Sequence, residues 1–506
     1  MSALPSSNGQ GALFELVARG IKDKYFVDDN KDSKFTYDAR YSSSAPHLGE
    51  RRTFIPVNGT TFGGTFDVEI DAYGDILTEC SLDIQLPSWF PPLPLTPQGV
   101  PVSPSLVNST YSIRSVGSEL SYGYVNYVGY FLFEKIQFYQ DQFLLQEWSG
   151  DGLLAKQWTE GSSSARDLSL LRGGQLDITE RNTTRNLELR ATPPPLSIRL
   201  PLPGLQSVTD VGLPLLAMPW QTLRLRITLR KLEDLVVCSD TNLFSPSPWT
   251  VPLFHYTFAD GISDHSFAPL SLSKIGHPTV TLSTFQRYVT PETQQELRDQ
   301  TIQIPFRRMF ENRFTFGELD FISLDKGGVS AVTRRLEGRH PTERVFWWFR
   351  LQQSLDRNRL DEVENPYFLD HLPTDTQPYT QPYGQFYYRI KLLIAGRDRE
   401  RLETGEVWNG ITPWAKQESV SSSTNHGIGT MSWGRGDIFG SPPSLERVPE
   451  GTVNFTTADR PTLYLELANV PSHPLMAQRL VEMRVWSEGW NIYEIKEGRG
   501  RLLFSS

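Results

Sequence analysis

The chain contains only two cysteines in 506 residues, Cys80 and Cys238, so no disulfide framework holds it together. Scarce cysteine agrees with a reducing compartment. Cys80 lies in the alternating run CSLDIQL and reads as a small buried apolar residue. Long hydrophobic runs are also missing, and no stretch reaches the length needed to span a bilayer. The opening MSALPSSNGQGALFEL lacks the basic start and apolar centre of a secretory signal, so synthesis in a cytoplasm is expected. On that reading the sequons at Asn58, Asn108, Asn182 and Asn454 are chance occurrences. Positive charge is in deficit too: Lys and Arg number 49 against 58 Asp and Glu, a formal net charge of −9. That argues against a surface built to neutralise nucleic acid, and no direct nucleic-acid contact is expected.

The usual chemical motifs are absent as well. Eight histidines are scattered as His47, His255, His265, His277, His340, His371, His426 and His473, and none pairs at helical metal spacing. There is no Cys-x-x-Cys, His-Glu-x-x-His, Gly-x-Ser-x-Gly elbow or phosphate loop; GISDH at Gly261 ends in histidine, and GIGTMS at Gly427 lacks a third glycine. HGIGTMSWGRGD reads as a flexible surface loop. One carboxylate pair stands out. Glu318 and Asp320 would share a strand face and resemble the Glu-x-Asp-x-x-Glu signature of laminarinase-like glycosidases, but Ser323 fills the last position. A retaining enzyme needs both carboxylates, so a solvated strand face is the expectation. Arg224, Arg226 and Arg230 likewise read as an exposed sheet face. No catalytic, cofactor-binding or metal residue is expected, and no cofactor.

What is present is strand pattern, used twice. Leu223, Leu225, Ile227 and Leu229 alternate with polar residues, as in a strand with one face buried and one wet. Leu463, Leu465 and Leu467 repeat this 463 − 223 = 240 residues later. Phe133–Trp148 and Tyr387–Trp408 share an outline of strand, polar turn and terminal tryptophan, with Ile136 to Ile390 spaced 390 − 136 = 254. A period this long implies a duplicated domain rather than a solenoid. Aromatics at 12%, with 36 prolines and 38 glycines, suit many short strands joined by turns. A chain of 506 residues suits two β domains better than one.

Phe66, Val68 and Ile70, then Cys80, Leu82, Ile84 and Leu86, alternate as a hairpin or a sheet-crossing pair. VFWWFRL, from Val345 to Leu351, reads as a strand buried on both faces. Thr290, Pro291 and Glu292 mark the start of a short inserted helix. Long loops are expected at 87–123, Ser149–Pro195, Gln352–Gln385 and Thr412–Pro449. The domains expected are an arm with a short helix over 1–52, a first roll over 53–237, a connector over 238–276 and a second roll over 277–506.

Together the motifs resemble the major capsid proteins of nucleocytoplasmic large DNA viruses, such as iridoviruses, phycodnaviruses and mimiviruses. ALFELVARGIKDKYF is similar to that family's opening, and VNYVGYFLFEKIQFYQDQ to its first long strand and turn. SIRLPLPGLQSVTDVGLPLLAMPWQTLRLRITLRKLEDL, GTVNFTTADRPTLYLEL and the ending EIKEGRGRLLFSS follow in the family's order. VDDNKD replaces the Thr-Gly-Asn-Pro that often follows the opening, and SDTNLFSPSPW matches no family segment.

The resemblance implies an all-β fold of two tandem jelly rolls with short inserted helices and long loops. It further implies homotrimeric, pseudo-hexagonal capsomers in the icosahedral shell of a large double-stranded DNA virus, with neighbouring capsomers and underlying minor capsid proteins as partners. Such a protein resides in the virion's outer shell and assembles in the host cytoplasm. The alternatives are a minor or scaffolding double-roll protein, or a β-sandwich glycan-binding protein or glycosidase resting on Glu318 and Asp320.

Overall fold

The computed structural model describes residues 48–56, 59–91, 111–160, 195–206, 212–240, 243–258, 263–317, 320, 331–363, 387–405, 407–411, 427–433, 451–456, 461–467 and 480–504. The expected N-terminal helix lies outside them. Eight strands build a first jelly roll: β1 (Leu48–Phe54), β2 (Thr65–Glu69), β3 (Ile76–Gln85), β4 (Phe133–Gln140), β5 (Phe143–Trp148), β6 (Leu196–Arg199), β7 (Leu223–Leu229) and β8 (Thr279–Tyr288). They form one sheet in the order β1-β8-β3-β6 and a second in the order β2-β7-β4-β5. Phe66 and Val68 thus belong to one sheet and Cys80, Leu82 and Ile84 to the other, with Ile70 and Leu86 one residue past the strand ends, so the chain crosses between sheets there.

A second set repeats the plan: β9 (Ile302–Phe316), β10 (Ala331–Arg335), β11 (Pro341–Leu351), β12 (Tyr387–Ile394), β13 (Arg397–Asp398), β14 (Gly429–Ser432), β15 (Thr462–Leu467) and β16 (Val481–Lys496). Its sheets run β9-β16-β11-β14 and β10-β15-β12-β13. Adding eight to every label of the first roll reproduces the second. Leu223 and Leu463 therefore lie on equivalent strands, β7 and β15. The cross-strand pair Ile136 and Ile227 corresponds to Ile390 and Leu465.

Three expectations change. The strand Thr279–Tyr288 is not the start of the second roll: it hydrogen-bonds to β3 and β1, in the middle of a first-roll sheet. Leu48–Arg52, expected in the arm, instead form that sheet's edge strand together with Thr53 and Phe54. Residues 238–276 do not connect rolls; Phe254–Phe258 pairs with Tyr111–Ser115 and Ser263–Phe267, and Phe254 packs on Phe90 and Tyr122. This is a long insertion before the first roll's last strand, which sits centrally in its sheet although late in sequence. Alternation reports a half-buried strand, not which sheet it joins.

The passage between rolls is α2 (Pro291–Asp299), with α1 (Gly150–Glu160) earlier in the chain. The proline and acid at the start of α2 stand as expected. Thr290 caps it with its carbonyl, which accepts the Gln294 N–H at 2.9 Å, while its hydroxyl meets Thr293 instead. Buried Asp75, just before β3, accepts from Val289 N–H at 2.8 Å and Gln294 Nε2 at 3.0 Å, tying the helix to the first roll.

Two further expectations fail nearby. Ser149–Pro195, expected as a loop, instead opens with α1, buried along almost its whole length. HGIGTMSWGRGD, expected as a flexible surface loop, instead contains Gly429–Ser432 as strand β14, paired with β11. Gly429 stands there because a Cβ would strike the ring of Trp347.

Side chains along β11 alternate between two cores. Val345, Trp347, Phe349 and Leu351 fill the second roll's own core. Phe346 and Trp348 join the core of the first roll, with Trp486 from β16. The strand is buried on both faces, as VFWWFRL predicts. Trp158 of α1 meets Trp348 at 5.7 Å between ring centroids, and Trp348 meets Trp486 edge-on at 4.8 Å. Each such tryptophan removes on the order of 150 Å² or more from water, roughly 4 kcal/mol of transfer free energy.

A glycine sets how closely α1 can approach. A Cβ on Gly150 would collide with the carbonyl oxygens of Tyr130 and Phe133, whereas one on Gly276 would meet only Pro87, at 3.6 Å. Gly150→Ala is expected to destabilise the protein by about 1–3 kcal/mol, with Gly276→Ala within about 0.5 kcal/mol of wild type. Urea unfolding curves of the two variants check this.

Candidate functional site

The face that β11 and β16 turn toward the first roll mixes charged side chains with aromatic rings. In β11, Arg344 and Arg350 flank Phe346 and Trp348; in β16, Glu482, Arg484 and Glu488 share the face of Trp486. Strand alternation puts these groups on one side, and that side is covered by α1. Ser149 starts the helix, its Oγ accepting the Gly152 N–H at 3.0 Å. Asp151 follows in the first turn and enters the seam fully buried.

Three arginines surround Asp151. Arg350 Nη1 lies 2.8 Å from Oδ1, Arg484 Nη1 lies 2.9 Å from Oδ2, and Arg230 Nη2 also reaches Oδ2. Arg484 Nε donates to Glu482 at 3.0 Å, and Arg350 Nη2 approaches the same carboxylate at 3.3 Å. Arg313 adds a third cation to Glu482. One turn along α1, Lys156 Nζ donates to Glu488 at 2.6 Å. Arg344 joins the other oxygen of Glu488 and donates to Thr159 Oγ1 at 3.1 Å. Arg307 on β9 pairs with Glu343 at 2.7 Å.

Burial alone would raise the carboxyl of Asp151, but Arg350, Arg484 and Arg230 outweigh it and hold the group well below the usual range. Glu488 behaves likewise, with Arg344 and Lys156 overriding burial. In Glu482, Arg350, Arg484 and Arg313 do the same. These carboxylates stay ionised at neutral pH and hold no proton to exchange. The arrangement clamps two rolls together; it is not built for acid–base chemistry.

Beside the seam opens a cleft of about 820 Å³ between β4 and β5 of the first roll and β9 of the second. Lys135, Glu147, Arg308, Glu311 and Arg339 contribute to its walls. Nearby His340 is buried, and burial, then Arg308 and Arg339, hold its imidazole down to about 4.

Among the described residues, those singled out in the sequence do not gather into one site. Asp320 lies past the end of β9 rather than on a strand face; its Oδ2 accepts the Gly317 N–H at 2.9 Å, capping a turn, and Arg334 stands 3.8 Å away. Glu318 and Ser323 lie outside the described residues, as do Asn58, Asn108 and Asn182. Asn454 is exposed on a two-residue strand. Among the described residues no group of His, Cys, Asp and Glu is arranged to hold a metal ion. Cys80 and Cys238 are free and buried, and burial pushes the Cys80 thiol up to about 12. Arg224 and Arg226 do lie on a partly exposed face, where Asp67 receives both. Arg230 departs from that reading, because β7 ends at Leu229 and the arginine turns inward to Asp151.

His340 and the ionic seam make acid stability depend on two windows. His340 has a folded value of about 4, below the ordinary 6.5, so the stability from its neutral form is present above 6.5 and is lost as pH falls from there toward 4. The depressed carboxylates lend stability that is complete above their ordinary range of about 4 to 4.5 and is lost as pH falls below it. The urea midpoint is therefore expected to decline gently below about pH 6.5 and steeply below about pH 4.5. His340→Asn, chosen because asparagine tolerates the positive φ of 71° at this position, removes the upper phase and leaves the lower one.

No protein-family model matches the chain, and no curated protein sequence matches it. Solved structures do. VP54 of PBCV-1, in a crystal structure fitted into a cryo-EM reconstruction of the virophage Sputnik, is similar with a TM-score of 0.61 at 14% identity, over 91% of this chain and 98% of that one. The same coverage and identity hold for a quasi-atomic model of the PBCV-1 virus capsid, with a TM-score of 0.60. The Faustovirus major capsid protein gives 0.58 at 12% identity over 96% of this chain and 97% of that one. The chain has the double jelly-roll fold of these capsid proteins.

Proposed function

We propose that the protein is a major capsid protein that forms homotrimeric, pseudo-hexagonal capsomers in the icosahedral shell of a large double-stranded DNA virus. The observation that carries this reading is the duplicated strand order, β1-β8-β3-β6 and β2-β7-β4-β5 repeated strand for strand. Its likeness to the Faustovirus major capsid protein extends over nearly the full length of both chains. Two similar rolls per chain give six similar lobes in a trimer, which a hexagonal lattice accepts. The charged seam supports the same reading, since it fixes two rolls as one tile with ionised groups rather than a reactive centre.

The partners in this proposal are other copies of the chain and minor capsid proteins beneath the shell, and the location is the virion, after assembly in the host cytoplasm. A formal charge of −9 supports a tile without direct contact to packaged DNA. Among the described residues no helix is long and apolar enough to cross a membrane. We propose no enzymatic activity: Asp320 serves a turn, and Ser323 stands where a glycosidase needs its second carboxylate. A minor or scaffolding role in the same kind of particle is the second reading, and copy number per particle separates the two.

The purified protein is expected to sediment near three times its 57.5 kDa chain mass. A permanent oligomer of this kind buries upwards of about 2,000 Å² per interface. A stable monomer at micromolar concentration contradicts the trimer. Glycan cleavage that Glu318→Gln abolishes contradicts the non-enzymatic reading.

A further inference from the structure

The charges of the seam pair off, but two cations at the wall of the adjoining cleft, Arg308 and Arg339, do not. Arg307 and Arg308 are neighbours on β9, so they point to opposite sides. Arg307 turns to Glu343 and to the ring of Trp490, while Arg308 lines the cleft. The Nη1 of Arg308 is buried with no hydrogen-bond partner, and its guanidinium rests 5.2 Å from the Phe310 ring centroid. Arg339 lines the same cleft, exposed, with no hydrogen bond or ion pair among the described residues.

The local field is positive. Burial, then repulsion from Arg339, lowers the basicity of Arg308, and Glu147 is the carboxylate that opposes this. Glu147 is already engaged, by Lys135 at 3.0 Å and by Gln137 at 2.7 Å. Glu311 is held by Arg484 and Ser149. Glu134 and Glu337 also line the cleft, but both are exposed and neither is among the charges acting on Arg308. A desolvated guanidinium donor without an acceptor, next to a second like charge, is unfavourable in the empty protein. An anion at that wall relieves both faults, and arginine forks suit planar or tetrahedral oxyanions.

We propose that the inter-roll cleft binds an oxyanion, carboxylate or phosphate in class, between Arg308 and Arg339. The source is either a free anion or the side chain of an acidic segment, and both present the same acceptor oxygens. The site goes beyond the capsid reading and does not depend on it, because it rests on one chain alone.

Inorganic phosphate and a tetraglutamate peptide are titrated separately into the intact protein, at fixed chloride, by calorimetry. Carbon-13 histidine labelling follows the ring of His340 in parallel. Saturation is expected to raise the His340 midpoint by about one pH unit, because a bound anion cancels the charges that depress it. Arg308→Gln and Arg339→Gln are each expected to weaken binding about tenfold, or roughly 1.4 kcal/mol. Arg339 is exposed, so its variant carries the test if the Arg308 variant does not fold. Response to phosphate assigns a free anion; response to the peptide alone assigns an acidic segment. No heat and no movement of His340 with either probe overturns the proposal, as does binding that both substitutions leave unchanged.

Discussion

A carboxylate cannot be buried between two domains unless cations go with it, and Asp151 imposes that condition on the rest of the molecule. It lies at the start of α1, with no exposed surface, against the sheet of the other roll. Desolvating it alone costs several kcal/mol. Arg230 from its own roll and Arg350 and Arg484 from the other supply the compensation. Those arginines in turn need Glu482, so the cluster closes only when both rolls are in place. Buried ion pairs of this kind add little net stability compared with apolar packing, but removing one partner is strongly unfavourable. Their effect is to specify one arrangement of the rolls.

The apolar part of the interface supplies the driving force. Trp158, Trp348, Phe346 and Trp486 stack between the charged groups, and they belong to the same buried cluster as the first roll's core. Side-chain amides complete the fit. Gln206 accepts from the Arg307 N–H at 2.7 Å and donates to its carbonyl at 2.6 Å, copying a strand partner along the open edge of β9. Tyr493 donates to Gln140 at 3.0 Å, and Asn358 Nδ2 donates to the Val236 carbonyl at 2.8 Å. Charge, aromatic packing and amides lock the two jelly rolls into one fixed arrangement.

Much of the fold was legible because period-two alternation survives wherever one sheet face is wet. β7 and β15 showed it, and their equivalence carried the duplication. The division between rolls was not legible. β8 alternates like any other strand, and a long insertion before it resembled a linker, so only the hydrogen-bond register assigns it. The seam was half visible. VFWWFRL read as buried on both faces, but the meaning of Arg350 was missed. The usable signal was charge at even spacing, so on one strand face, Arg344 and Arg350 in one strand and Glu482, Arg484 and Glu488 in another, with signs that complement. Asp151 carried no such signal, since its role depends on a helix packing across a domain boundary far from it in sequence.

The central claim is that Asp151 and the β11–β16 face are energetically one unit across the two rolls. A double-mutant cycle tests it most directly, comparing Asp151→Leu, Arg350→Met and the pair by urea unfolding. A coupling of about 2 kcal/mol is expected, with the double variant more stable than the sum of the single losses implies. Additive losses, agreeing to within about 0.5 kcal/mol, would contradict it.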